Sequence, residues 1–250
     1  MKKLSIFILL ISLLIFSSCS NSQNVDMKEK IVAVEADSLS QKAAVTIKSD
    51  VKEIKVISTA DGAVSAVESK EADFVVLDEF TSALYIENKR KIEVVKALPF
   101  TTEFCAYFYE NQDLLNKFNS IVFDMLEDGT ITEIKDSYKQ GELYYPNLTP
   151  LGDDAPVLTI GTDVVGHPYT DLTEDGSIIG IDIDIMSVVA NKMGYNLEIV
   201  IAPVDEIFGL LKNGEVDLVV SGLMYDAERE ESFDSSISYL LTEYYLHKRK

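Results

Sequence analysis

The sequence has no tryptophan, two histidines and two cysteines among its 250 residues. Two cysteines are too few for a framework of several disulfides or for a zinc site of four cysteines. The histidines, His167 and His247, are far apart, and no metal-ligand spacing occurs. No Ser/His/Asp order is assembled either. We therefore expect no metal, no cofactor and no enzyme, although acid/base chemistry by Glu35 or Asp163 stays open as an alternative.

Positive charge is also scarce. The chain has 22 lysines and arginines against 42 acidic residues, a formal net charge of −20. Such a chain repels a phosphate backbone, which excludes nucleic acid as a partner. With 47% hydrophobic and 26% charged residues the composition is that of a globular protein.

Long apolar runs are missing apart from one, Leu4 to Phe16, which follows Lys2 and Lys3. This run is too short to cross a hydrocarbon core of about 30 Å as a helix, and small residues follow it. We predict that residues 1–18 are a signal peptide.

The end of that segment, Phe16 to Cys19, resembles the bacterial lipobox. The resemblance implies a fatty-acylated Cys19, a polar tether over residues 19–26, and a lipoprotein anchored to the membrane of the cell envelope, facing the periplasm or the exterior. The alternative is an ordinary cleaved signal. The second cysteine, Cys105, lies in an apolar β-like run, which favours core packing.

Hydrophobic periodicity predicts an α/β fold with two βαβ series and mostly parallel sheets. One series occupies residues 27–98 and the other residues 157–250. Between them lie a β run with two helices (99–145) and a linker rich in proline and glycine (146–156). Asp37 and Ser38 are predicted to begin one helix, and Asp61 another.

Two such lobes make a cleft at the carboxyl ends of their strands. Its predicted loops are 35–39, 78–80, 162–169 and 221–229. Arg229 could bind a carboxylate, and Asp78 and Asp163 an ammonium, which favours an amino acid. Backbone N–H groups near Gly222 to Met224 and Ser38 could share the carboxylate. Taken singly, Asp78 is equally well explained as a helix cap, Asp163 as a turn residue and Arg229 as a surface ion-pair partner.

From Leu158 onward the sequence resembles the polar amino-acid-binding proteins of ABC importers, the extracellular solute-binding proteins of family 3. The matching segments are 160–163, 168–169, 175–184, 211–222, 228–229, 233–235 and 238–239. The resemblance implies a type II periplasmic-binding-protein fold with two lobes and a hinge.

The family order is exchanged, because its N-terminal section is here C-terminal. Residues 26–34 resemble the opening of the family's second lobe, 71–78 its last strand, and 114–119 with 127–134 its closing helices. We expect a circular permutation, in which 27–98 form lobe 2, 99–145 the hinge crossing and closing helices of lobe 1, 146–156 the joint between the old termini, and 157–250 lobe 1. A truncated tandem protein is the alternative.

Carried across, the resemblance implies that Arg229 binds the ligand's α-carboxylate and Asp78 its α-ammonium, with Asp163 near its polar end. Tyr169 stands where the family has the aromatic residue of a Pro-Phe pair. Gly166 stands where the family has a stacking aromatic, Met224 where it has a hydroxyl residue, and Leu39 where it often has threonine. The ligand-binding set is therefore Arg229, Asp78, Asp163, Tyr169, Gly222, Met224, Ser38 and Leu39.

The expected function is that of a substrate-binding lipoprotein that delivers an amino acid to an ABC permease and acts as a monomer. Two alternatives are a surface lipoprotein or sensor partner that kept the fold and lost the ligand, and a periplasmic lyase or dehydratase.

Overall fold

The computed structural model describes residues 25–164, 166 and 168–250. The predicted signal peptide, the predicted lipidation site Cys19 and His167 lie outside the described residues. Among the helices that are described, none combines the length and the apolar character that a membrane span requires.

The first five-stranded sheet belongs mainly to the N-terminal half of the described chain. Its elements are β1 (Ile31–Glu35), α1 (Leu39–Val45), β2 (Glu53–Ile57), α2 (Ala60–Glu68), β3 (Phe74–Asp78), α3 (Glu79–Glu87) and β4 (Ile92–Phe104), joined by the last strand, β12 (Leu240–Arg249). The strand order is β2-β1-β3-β12-β4. We call this unit lobe 2.

The second sheet forms lobe 1. Its elements are β5 (Tyr107–Phe108), α4 (Gln112–Glu127), α5 (Thr130–Lys139), β6 (Val157–Thr162), β7 (Asp171–Leu172), β8 (Ile178–Ile179), α6 (Ile181–Met193), β9 (Asn196–Ile201), α7 (Val204–Asn213), β10 (Leu218–Val219), a 3-10 turn (Arg229–Glu231) and β11 (Asp234–Ser235). The strand order is β11-β5-β10-β6-β9, with β7 and β8 as a separate hairpin.

The two-lobed α/β fold is confirmed, with two corrections. Each sheet is parallel only in its βα series, since β12 pairs antiparallel with β3 and β4, and β5 pairs antiparallel with β10 and β11. In addition, β12 lies in the sheet of lobe 2, so lobe 1 does not extend to residue 250 as we expected. Both β12 and β5 run antiparallel to the strands of the βα series in their sheets. Hydrophobic periodicity does not reveal the direction of a strand.

Two crossings join the lobes, one from β4 to β5 and one from β11 to β12. They run side by side. The N–H of Tyr239 donates to the carbonyl of Phe104 (3.0 Å), and the N–H of Ser236 donates to that of Ala106 (2.8 Å). The hydroxyl of Ser236 also accepts from the N–H of Ala106 (2.9 Å). The hinge is thus a paired, hydrogen-bonded ribbon.

Amphipathic helices cover the sheets. In α4, the buried residues Leu115, Phe118, Val122 and Met125 recur at intervals of three and four, which places them on one face of the helix. They enter the main core cluster of lobe 1, in which Phe108 packs edge-on against Phe118 with ring centroids 5.3 Å apart. Cys105 is 3% exposed, in agreement with core packing.

Hydroxyl side chains cap the first turns of α1 and α2. The Ser38 hydroxyl accepts from the N–H of Gln41, so the predicted cap of α1 is confirmed. For α2 the cap is Thr59, which accepts from the N–H of Gly62, and Asp61 lies inside the first turn instead. Both hydroxyl and carboxylate residues suit a first turn, so sequence alone could not choose between the two positions.

The linker of residues 146–156 lies along lobe 1 without regular secondary structure. The side-chain amide of Asn191 donates to the carbonyl of Thr149 (2.8 Å), and its oxygen accepts from the N–H of Thr149 (3.0 Å). Asn196 donates to the carbonyl of Gly152 (3.3 Å). The segment is therefore attached at two points near the C-terminal end of α6.

Residues near the two limits of the described chain are neighbours in lobe 2. Phe74 pairs with Val32 on one side and with Lys248 on the other. Because adjacent strands are about 4.8 Å apart, Val32 and Lys248 are separated by about 10 Å.

Candidate ligand site

A cavity of about 590 Å³ lies between the lobes. Residues from all four predicted loops line it, together with residues 59–61 at the start of α2. Its volume falls within the range of small-molecule sites, about 300 to 1,000 Å³. The cavity is therefore the candidate ligand site.

On the side of lobe 2, Asp78 follows β3 and is 7% exposed. Its Oδ1 accepts from the N–H groups of Phe80 and Thr81, both at 3.0 Å, and caps α3. These two bonds use one carboxylate oxygen, which leaves the other for a donor in the cavity. Ser38 and Leu39 line the same wall.

On the side of lobe 1, Tyr169 lines the cavity and packs edge-on against Phe104, with ring centroids 5.4 Å apart. It also reaches Phe80 of lobe 2, at 6.3 Å. Its hydroxyl oxygen is buried and has no hydrogen-bond partner among the described residues. Burial, with the Asp78 charge nearby, raises the pKa of Tyr169.

Gly222 also lines the cavity, and a buried carboxylate holds it in place. The N–H of Gly222 donates to Oδ2 of Asp182 (2.7 Å), and the hydroxyl of Tyr239 donates to Oδ1 (3.0 Å). Asp182 therefore ties the start of α6 to a cavity loop and to the hinge crossing. Burial raises the pKa of Asp182 to about 6.

Gly180 supports the loop that carries Tyr169. Its φ is +133°, and a Cβ at this position would lie 2.1 Å from the carbonyl oxygen of Tyr169. The N–H of the next residue, Ile181, donates to the carbonyl of Pro168 (2.9 Å). Only glycine permits this close approach of the two backbones.

Three predicted site residues do not line the cavity: Arg229, Asp163 and Met224. The guanidinium of Arg229 lies between the rings of Tyr107 and Phe208, 4.9 and 4.8 Å from their centroids. It makes no ion pair with the acids of the described chain. Met224 forms a β-bridge with Phe104.

The alternation of the crossing strand explains this arrangement. Phe104 lines the cavity and packs with Ala106 and Phe108 in one core cluster, whereas Cys105 and Tyr107 pack against α7 in another. Successive side chains of a strand point to opposite faces. Arg229 stacks on Tyr107 and therefore lies on the opposite face of this strand from Phe104, which lines the cavity.

Four lining residues were not predicted as ligand contacts: Asp61, Tyr85, Phe104 and Tyr244. Glu35, at the start of a predicted loop, was considered only for acid/base chemistry. Glu35 is the last residue of β1, and its Oε1 accepts from the N–H of Ala60 (3.1 Å). A carboxylate that ends a parallel strand is a usable signal for a site at that sheet edge. By contrast, Tyr244 comes from β12, whose place in lobe 2 was not predicted.

Two α/β lobes, a paired hinge and a cavity between them define the class of two-lobed ligand-binding proteins. Residues 158–250 match the bacterial extracellular solute-binding proteins of family 3.

Two curated relatives match about a third of the chain. A "Probable histidine-binding protein" of Neisseria gonorrhoeae is 29% identical over 90 residues, 36% of this chain and 34% of that protein. An arginine-binding extracellular protein of Bacillus subtilis is 29% identical over 93 residues, 37% of this chain and 36% of that protein. The match thus spans about a third of the length of these curated relatives.

Among solved structures, a substrate-binding protein of a polar amino acid ABC uptake transporter from Streptococcus thermophilus is 35% identical. That match covers 31% of this chain and 30% of that chain, with a TM-score of 0.30.

Replacing Gly180 by alanine should lower the free energy of unfolding by more than about 2 kcal/mol, because the new Cβ meets a backbone oxygen that cannot move alone. Urea unfolding followed by circular dichroism measures the change. The displaced Tyr169 loop should also weaken ligand binding.

The matched control is Gly209→Ala in α7, where no atom lies within 4 Å of the added Cβ. This variant should be unchanged or more stable by up to about 1 kcal/mol, since alanine favours a helix. Equal stability of both variants would contradict the role of Gly180.

Asp182 should make stability depend on pH. Its pKa in the folded protein is about 6, above the ordinary value, so the folded state holds this proton more tightly than the unfolded state. The contribution of Asp182 to stability is therefore largest at low pH and is lost as pH rises through about 6. An Asp182→Asn variant lacks this titration. Its free energy of unfolding, relative to that of the parent, should therefore rise by roughly 2 to 3 kcal/mol from pH 4 to pH 7.

Urea unfolding at pH 4.5, 5.5 and 7 measures this difference. The control is Asp124→Asn, at an exposed position of α4, which removes one carboxylate far in sequence from the buried network of Asp182. A difference between Asp182→Asn and the parent that stays constant with pH would show that Asp182 does not titrate in this window.

Proposed function

We propose that this protein is the solute-binding component of an ABC importer and binds an amino acid in the cavity between its lobes. The observation that carries the proposal is the cavity itself, which is bounded by both lobes and contains Asp78, a buried carboxylate with one oxygen free of the helix cap. The relatives named for histidine and arginine support an amino acid as the ligand.

In this proposal Asp78 of lobe 2 binds the α-ammonium and Arg229 of lobe 1 binds the α-carboxylate. Arg229 is suited to this role because its guanidinium rests on neutral rings and has no acid partner within the described chain. To reach the ligand, it has to leave its position on the rings of Tyr107 and Phe208. The lobes close because only the closed state makes both contacts.

Asp163 is proposed to lie near the polar end of the ligand, since its N–H is bonded to the hydroxyl of Ser221, which lines the cavity (3.1 Å). Gly222, Ser38 and Leu39 would contact the ligand directly. Met224 would act through its bridge to Phe104. We further propose that Cys19 carries the lipid that anchors the protein beside its permease.

A thermal-shift screen of the purified protein against the common amino acids tests the function. A ligand at a hundred times its Kd adds about 2.7 kcal/mol, which for a protein of this size raises Tm by roughly 5 to 10 °C. Arg229→Ala should weaken binding of that ligand by about 3 kcal/mol or more, roughly 150-fold. Isothermal titration calorimetry measures the loss.

The matched control is Arg229→Lys, which keeps the charge but not the planar fork and should bind with intermediate affinity. Unchanged affinity in Arg229→Ala would contradict the clamp. A folded protein that responds to no amino acid would favour the alternative of a surface lipoprotein or sensor partner that kept the fold and lost the ligand.

We also propose that the chain is circularly permuted relative to its family. The separation of about 10 Å between Val32 and Lys248 supports this proposal, because a short connection can span it. So does the placement of residues 146–156, which run along lobe 1 and would join the ends of the family order.

A rewired chain tests the permutation. Residue 250 is linked to residue 25 by eight glycine and serine residues, which reach about 16 Å on average, and the chain is opened between Tyr145 and Pro146. This chain should unfold cooperatively, remain monomeric and bind the same ligand. The control is opened inside β6, between Ile160 and Gly161, and should not fold. If both chains fail, the family order is not recoverable and the truncated tandem protein is favoured.

A further inference from the structure

The charges that line the cavity are all negative, and all come from lobe 2. They are the carboxylates of Glu35, Asp37, Asp61 and Asp78. No lysine or arginine lines the cavity within the described chain. Lobe 1 contributes the ring of Tyr169 and the small residues Gly166, Ser221 and Gly222.

Part of this negative charge is compensated locally. Asp61 is paired with Arg90, which also binds Glu68. Glu35 and Asp78 accept backbone N–H groups at the starts of α2 and α3, and each helix start carries roughly half a positive charge. About two negative charges remain uncompensated.

Asp37 is the least compensated of the four. It is exposed, and its side chain makes no ion pair within the described residues. Its backbone has a φ of +54°, a conformation that the N–H bond to Oε1 of Gln41 (2.8 Å) helps to hold. Glu35 lies two residues earlier, at the end of β1, so the two carboxylates border the same loop.

Aromatic residues complete the wall around these acids. Tyr85, Phe104, Tyr169 and Tyr244 all line the cavity. The faces of aromatic rings attract cations, and uncompensated carboxylates beside them favour a cationic side chain on the ligand and repel an acidic one. The buried hydroxyl oxygen of Tyr169, for which the described chain provides no hydrogen-bond partner, offers a further polar contact.

We propose that the ligand is an amino acid with a positively charged side chain, and that Glu35 and Asp37 of lobe 2 bind this second cation while Asp78 binds the α-ammonium. The inference rests on the proposed amino-acid-binding function and names the substrate class of the same site.

Arginine and citrulline form the decisive pair of probes. They have the same heavy-atom shape, and citrulline carries a neutral urea in place of the guanidinium. Isothermal titration calorimetry at pH 7.5 should give at least tenfold tighter binding of arginine. Glu35→Gln and Asp37→Asn should each reduce the ratio of the two affinities several-fold, because each removes one charge beside the cation.

Glu53→Gln is the matched control. Glu53 is exposed on β2 of the same lobe and does not line the cavity, so its loss changes the net charge equally. An unchanged ratio in this variant, with a reduced ratio in the other two, supports a local effect. An equal fall in all three would overturn the assignment of Glu35 and Asp37.

The remaining outcomes separate this inference from the proposed function. If citrulline binds as tightly as arginine, the cationic class is wrong and the amino-acid function stands. If neither binds but glutamine or another neutral amino acid does, the class is again wrong. If no amino acid binds, the proposed function fails and this inference fails with it.

Agmatine, which lacks the carboxylate, should bind much more weakly than arginine, and equal binding would contradict the Arg229 clamp.

Discussion

The hydrogen-bonded pair of chain crossings fixes the positions of the two sheets relative to each other. Phe104 and Ala106 accept from Tyr239 and Ser236 on the neighbouring crossing. Because both crossings emerge where the sheets face each other, the loops at the carboxyl ends of β1, β3, β6 and β10 meet over one cavity. The alternation of side chains along the same ribbon places Phe104 in that cavity and Tyr107 on the opposite face, where it holds Arg229.

A second feature is the use of carboxylates at helix starts. Asp78 caps α3 and Glu35 bonds to the first turn of α2, so both acids are stabilised in the apo protein by backbone N–H groups. A capped carboxylate keeps its orientation and still has a second oxygen for a ligand. This preorganisation reduces the entropy that binding must overcome.

Much of the fold could be predicted from the sequence, because the βαβ periodicity is strong in both halves. The sequence pattern predicts helices over residues 79–88 and 182–193 and a strand over 197–201, and α3, α6 and β9 agree with these bounds to within one residue. Long-range pairing was harder. Nothing in the run from Leu240 to Arg249 indicates that it lies between β3 and β4.

The candidate site could be predicted only in outline for the same reason. Asp78, Ser38, Tyr169 and Gly222 follow from strand ends and lie on the cavity. Tyr244 and Phe104 belong to the crossings, so their place depends on tertiary pairing. The orientation of Arg229 depends on Tyr107 and Phe208, which are more than a hundred residues apart in sequence and do not form a recognisable motif.

The central place of β12 has a consequence for folding. Lobe 2 consists mostly of residues 25–104, yet its fourth strand comes from residues 240–249, after the whole of lobe 1. Tyr244 and Leu246 complete the core cluster that holds Val32, Val34 and Val76. The sheet of lobe 2 therefore cannot close until the last segment of the chain is present, and its pairings carry a high loop-closure cost. In the order that we propose for the family, the same strand would immediately precede β1 and close the sheet locally. The order of the present chain instead couples the folding of the two lobes, because lobe 1 has to bring β12 into position before lobe 2 is complete.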